Sequence, residues 1–120
     1  MFRGLLLGLL LLATQVTPVT AHPLVITKDA WDSVKYFPVE QQQRALAVFY
    51  CESRWDKLAV GSSGERGIPQ IHPIHWAKYD INDGGGRLEA PVLAGIIAYQ
   101  IYLEQERVTG NGWSAWTCSN

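Results

Sequence analysis

Three stretches of the chain carry a strong apolar signal, and they differ in period. Residues 5–13 form an almost unbroken leucine run. Between 38 and 53, Ala45, Leu46, Val48 and Phe49 supply one apolar face, which predicts an amphipathic helix; Pro38 suits its first turn and Glu40 its positive end. Between 91 and 107 the pattern is different. From Leu93 to Leu103 Gln100 is the only strongly polar residue. That predicts a helix apolar nearly all round and central to the domain, with Gly95 admitting a close neighbour and Gly110-Asn111-Gly112 ending it.

The segments between are punctuated by turn formers. Residues 57–67 read as a Gly- and Ser-rich loop, and 69–79 as a short helix whose start is limited by Pro73. Asp83-Gly84-Gly85-Gly86 reads as an exposed, flexible connector, and 113–118 as an extended segment packed on the core. No stretch alternates with the period of a strand and no internal repeat is present. The expected class is all-α.

The leucine run belongs to a different argument. A short basic start at Arg3, the run itself and the small-residue exit Pro18-Val19-Thr20-Ala21 form the three-part pattern of a secretory signal peptide over residues 1–21. The run is about half the ~20 residues a membrane span needs, so an uncleaved anchor is the alternative and no other segment could cross a bilayer. Cleavage after Ala21 leaves about 99 residues, 22–120, enough for one domain and expected to act as a monomer. The exported product would be secreted or held at the cell envelope.

Charge and cysteine content narrow the partners. The formal net charge is −1 and falls to about −2 without Arg3, so no basic field exists to hold nucleic acid. A polymer ligand would be gripped by shape, aromatic rings and hydrogen bonds. In an oxidising compartment Cys51 and Cys118 are the only possible disulfide partners, and their bridge would tie the tail beside Glu52.

Glu52 is the residue with the most chemical content. It stands at the end of the first amphipathic helix, beyond Val48 and Phe49 on the buried side, where a carboxylate is costly. Two roles fit. One is a buried ion pair with Arg54 or Arg66; the other is a general acid whose pKa is raised by desolvation. Asp56 reads as a turn former, while Glu65, Asp80 and Asp83 lie in polar segments. His72 and His75 lack the His-Glu-x-x-His spacing of a metalloprotease, and no metal or other cofactor is expected; a groove-lining or surface role is the reading for both.

Three blocks in register resemble the lytic transglycosylase and goose-type lysozyme superfamily. They are Glu52-Ser53-Arg54-Trp55, then Gly64-Glu65-Arg66-Gly67-Ile68-Pro69-Gln70, then Ala98-Tyr99-Gln100-Ile101-Tyr102 followed by Gly112-Trp113-Ser114-Ala115-Trp116. The resemblance spans roughly residues 39–118. Pro69 stands where the family has a bulky apolar residue, and Ala94 or a neighbour replaces a common asparagine.

The resemblance implies a small lysozyme-like helical domain with a central buried helix and a groove for peptidoglycan glycan strands. Glu52 would protonate the glycosidic oxygen between N-acetylmuramic acid and N-acetylglucosamine. It would then act as base toward a hydroxyl of the same muramic residue, giving a 1,6-anhydro end. Hydrolysis, as in a goose-type lysozyme, and a non-catalytic glycan-binding wall module are the alternatives. Ser53 and Gln70 belong to the motif as loop-orienting or substrate-contacting groups, with His72 in the groove. Tyr99 or Tyr102, with Tyr102 favoured, would reach Glu52 from the late helix. Trp76, Trp113 and Trp116 are sugar platforms or core, and Trp116 fits the core better.

Overall fold

A computed structural model describes residues 25–119, and the leader reading lies outside them. Three α-helices carry the fold: α1 (Lys28–Val34), α2 (Val39–Ser53) and α3 (Pro91–Thr109). Loops and short 3-10 turns make up the rest, and the described residues contain no β-strand, only two isolated bridges that pair Arg66 with Val60 and with Ile71. The all-α class holds.

Local chemistry sets the helix limits. Pro38 is the N-cap of α2, one residue outside the helix. α3 begins on Pro91 and stops at Gly110, whose φ of 80° ends the helix in the left-handed region. α1 has no counterpart among the elements expected from the apolar pattern. Only seven residues long, it is started by the Thr27 side chain accepting from the Ala30 N–H at 3.1 Å. Its packing on α3 is close: a Cβ on Gly95 would lie 2.2 Å from the Ser33 carbonyl oxygen. The close neighbour expected at Gly95 is thus the backbone of α1.

The core joins α2, α3 and the tail through aromatic rings. Phe37 stacks on Trp113 at 5.5 Å between centroids and 7° between planes, and it also meets Phe49, Tyr99 and Tyr102. Several such contacts, each adding about 0.5–1.5 kcal/mol beyond area burial, fasten the tail to both long helices.

Four expectations need correction. α3 is not apolar all round in its surroundings: Ala94, Ile97, Ala98 and Ile101 are buried, but Ile96, Gln100 and Leu103 are exposed, so one face meets solvent. Residues 69–79 form no single helix. They give two 3-10 turns, Pro73–His75 and Ala77–Tyr79, because His72 Nδ1 takes the Ile74 N–H at 3.0 Å and Asp80, at φ 58°, ends the second. The tail is likewise two 3-10 turns, Gly112–Ala115 and Thr117–Ser119, the first capped by Asn111 Oδ1 on the Trp113 N–H at 3.0 Å.

The glycine triplet is no bland connector either. Gly85 is buried, the Asp83 carboxylate accepts from the Gly85 and Arg87 N–H groups at 3.2 and 3.0 Å, and the Gly84 carbonyl accepts from Arg66 at 2.7 Å. Arg66 also pairs with Glu89 at 2.8 Å. No described helix is long and apolar enough to cross a membrane.

Candidate active site around Glu52

The end of α2 is built by two consecutive left-handed residues. Arg54 (φ 58°) and Trp55 (φ 60°) reverse the chain, the Arg54 N–H caps the Tyr50 carbonyl at 2.8 Å, and the Trp55 indole folds back to donate to the Leu46 carbonyl at 2.9 Å. L-residues adopt that region at a cost of about 1 kcal/mol or more each, which the buried indole offsets. Glu52 therefore stands in the final helical turn, half-buried.

The glycine loop is then clamped against this helix end. Ser53 Oγ is buried, 2.7 Å from the Ile68 carbonyl and 3.2 Å from the Phe49 carbonyl. Gln70, itself at φ 57°, donates from Nε2 to the Ala59 and Gly67 carbonyls at 3.1 and 3.0 Å. The bare Cα of Gly61 leaves room for the Glu65 and Gln70 side-chain ends, since a Cβ there would fall 2.3 Å from Glu65 Oε1 and 2.6 Å from Gln70 Oε1 and would displace both. The loop thus brings Glu65 and Gln70 over the same floor. Asp56 makes the expected turn, accepting the Leu58 N–H at 2.9 Å.

These groups enclose a cavity of about 150 Å³ lined by Glu52, Glu65, Gln70, His72, Trp116 and Thr117, with Ala115. Gln70, His72, Ala115 and Trp116 also line a small gap of about 10 Å³, room for about one water, and its His75 and Ile101 border a separate cavity of about 160 Å³ beside Lys78, Tyr79 and Glu104. A wider cavity of about 250 Å³ lies elsewhere, lined by Ile26, Trp31, Val39, Gln42, Gln43 and Leu46. None of those side chains is an acid or a base, so it can host binding but no proton transfer.

Glu52 is the carboxylate whose surroundings suit proton transfer. Burial pushes its pKa above the usual glutamate value, and the like charge of Glu65 adds to the rise. Hydrogen bonding works the other way: the Cys118 N–H donates to Glu52 Oε2 at 3.1 Å, and the Thr117 hydroxyl also favours the charged form. The ion-pair alternative finds no support, because Arg66 serves Glu89 and Gly84 while Arg54 lies over the Tyr50 ring at 4.9 Å. An acid that must be protonated to act should keep working above the pH at which an exposed glutamate has ionised. The alkaline limb of a pH–rate profile is thus expected above the ordinary carboxylate range, and a limb at the value of a free glutamate would contradict it.

The other expected site residues are partly brought together. Gln70 and His72 line the cavity with Glu52. Ser53 does not; its hydroxyl is spent on the loop backbone. Neither Tyr99 nor Tyr102 donates to Glu52. Tyr99 packs on Phe37 and Tyr102 on Phe37 and Trp113, and the donor that meets Glu52 is the Cys118 N–H of the tail. Trp113 and Trp116 are core, with Trp116 Nε1 donating to the Pro69 carbonyl at 2.8 Å. Pro69 is itself fully buried, and its carbonyl accepts this bond.

Two groups were not assigned to the site from the residues alone: Glu65 across the cavity and the main chain of the tail. The Cys51–Cys118 disulfide delivers the tail, with a Cα–Cα separation of 5.9 Å. No cluster of three metal-binding side chains occurs among the described residues. Compared with protein-family models, curated proteins and solved structures, the chain matches none.

Proposed function

We propose that the protein is a peptidoglycan lytic transglycosylase with Glu52 as general acid and then base. The observation behind the proposal is a half-buried carboxyl with a raised pKa at the end of α2, facing a cavity that it shares with Gln70 and His72. The motif blocks around Glu52 and Gln70 agree with a glycan as the substrate class.

The chemistry follows from the single acid. Protonated Glu52 gives its proton to the glycosidic oxygen as the bond to the muramic carbon breaks. The resulting carboxylate takes the proton of the C6 hydroxyl of the same sugar as that oxygen closes the anhydro ring. An intramolecular nucleophile needs no second carboxylate to activate water, and its proximity replaces that group's contribution. Gln70 and His72 would hold the strand against Glu52.

A hydrolytic reading is favoured by one specific observation, the placement of Glu65 on the same cavity. In that reading Glu65 would activate water. Glu65→Gln separates the two in a peptidoglycan-clearing assay. Under the transglycosylase reading activity is retained, and the alkaline limb moves to lower pH because a like charge beside Glu52 is gone. A loss of roughly a hundredfold or more in a folded variant would move the assignment to hydrolysis.

A further inference from the structure

The end of the chain holds a contact that the proposed reaction leaves unused. The Cys118 N–H reaches Glu52 Oε2 at 3.1 Å across a sequence separation of 66 residues. Its side chain is joined to Cys51, the immediate neighbour of Glu52. Up to Trp116 the tail is held independently, by the buried indole, its bond to the Pro69 carbonyl and its contacts with Phe49 and Trp113. Beyond Trp116 the ties to α2 are the Thr117 hydroxyl and Cys118 N–H bonds to Glu52 and one covalent link, the disulfide, whose Cys51 is an exposed residue.

We propose that the Cys51–Cys118 bridge is a positioning device for Glu52, which makes turnover dependent on an oxidising environment. The inference rests on the reading of Glu52 as the acid. A glutamate side chain turns about three bonds, and a covalently fixed N–H selects one of its orientations. An N–H only donates, and in the neutral acid the unprotonated oxygen is the better acceptor, so the bond favours Oε2 as that oxygen. The acidic proton is thereby directed to Oε1. A dithiol reductant would deliver two electrons and two protons: the S–S bond breaks, two thiols form and the dithiol closes to its own disulfide. Residues 117–119 are then released while Trp116 keeps the core closed. A chain in a reducing compartment would hold its acid unaligned, and oxidation would align it.

The test compares the oxidised full chain with the same protein reduced by dithiothreitol, on soluble glycan fragments of peptidoglycan. Circular dichroism confirms the fold of both. Reduction is expected to lower kcat by roughly tenfold to a hundredfold with little change in KM, and reoxidation to restore it. An unchanged kcat in the reduced, folded protein overturns the inference. A second measurement needs no turnover and decides the matter even where the reduced chain unfolds. In the oxidised protein the Cys118 amide resonance should follow the titration of Glu52 and lose that dependence in Glu52→Gln; an amide indifferent to Glu52 also overturns the inference. A Cys118 amide that follows Glu52 in a protein that cleaves no glycan would overturn the transglycosylase reading and leave the positioning contact standing.

Discussion

Glu52→Gln should lower the rate of peptidoglycan clearing by about 10²- to 10⁴-fold, the usual contribution of a positioned general acid. The amide matches the carboxyl in shape, and its oxygen can still accept the Cys118 N–H that now meets Oε2. What it cannot do is give up a proton. Stability should be unchanged or slightly higher, since burial already disfavours the charged carboxylate. Clearing near the unsubstituted rate by a folded Glu52→Gln protein would remove Glu52 from the role of acid.

The second large effect concerns stability. The disulfide closes a loop with a sequence separation of 67 residues. Constraint of the unfolded chain by a loop of that size is worth about 4 kcal/mol, a large share of what a domain near 100 residues possesses. Replacing both cysteines by serine should lower Tm by roughly 15 °C or more, read by thermal unfolding under non-reducing conditions. A variant melting within a few degrees of the parent would show that Trp116 and its neighbours, and not the bridge, hold the tail.

The parts of this molecule legible in the sequence are those fixed by local signals. Pro38 and the apolar positions from Ala45 to Phe49 mark α2, and Pro91 and Gly110 bracket α3. The cysteine pairing was legible for another reason: with two cysteines there is one possible bridge. α1 escaped because seven residues with one cap carry little periodicity, and its place depends on the bare Cα of Gly95 in a distant helix. The 3-10 turns of the tail and of residues 73–79 depend on single side-chain caps from Asn111 and His72 that no period reveals.

The site divides along the same line. Glu52 and Gln70 share a cavity because the Ser53 clamp and the Gly61 floor are encoded within twenty residues of each other. The donors to Glu52 were misjudged. A tyrosine on α3 has suitable chemistry, but the aromatic cluster of Phe37 and Trp113 claims both phenol rings, and a backbone N–H fills the place. Main-chain donors carry no residue signature, so only the fold could reveal this one. Glu65 was hidden differently: in sequence it is one more polar loop residue, and its approach to Glu52 is set by the turn over Gly61.

The route of bond cleavage is written in the mass of the products. Purified peptidoglycan digested by the oxidised protein, treated with borohydride and resolved by mass spectrometry should yield muropeptides ending in 1,6-anhydro-N-acetylmuramic acid. These are about 20 mass units lighter than the reduced products of hydrolysis, because no water is added and the closed ring has no end to reduce. Products ending only in reducible muramic acid would contradict the account and assign the cleavage to water.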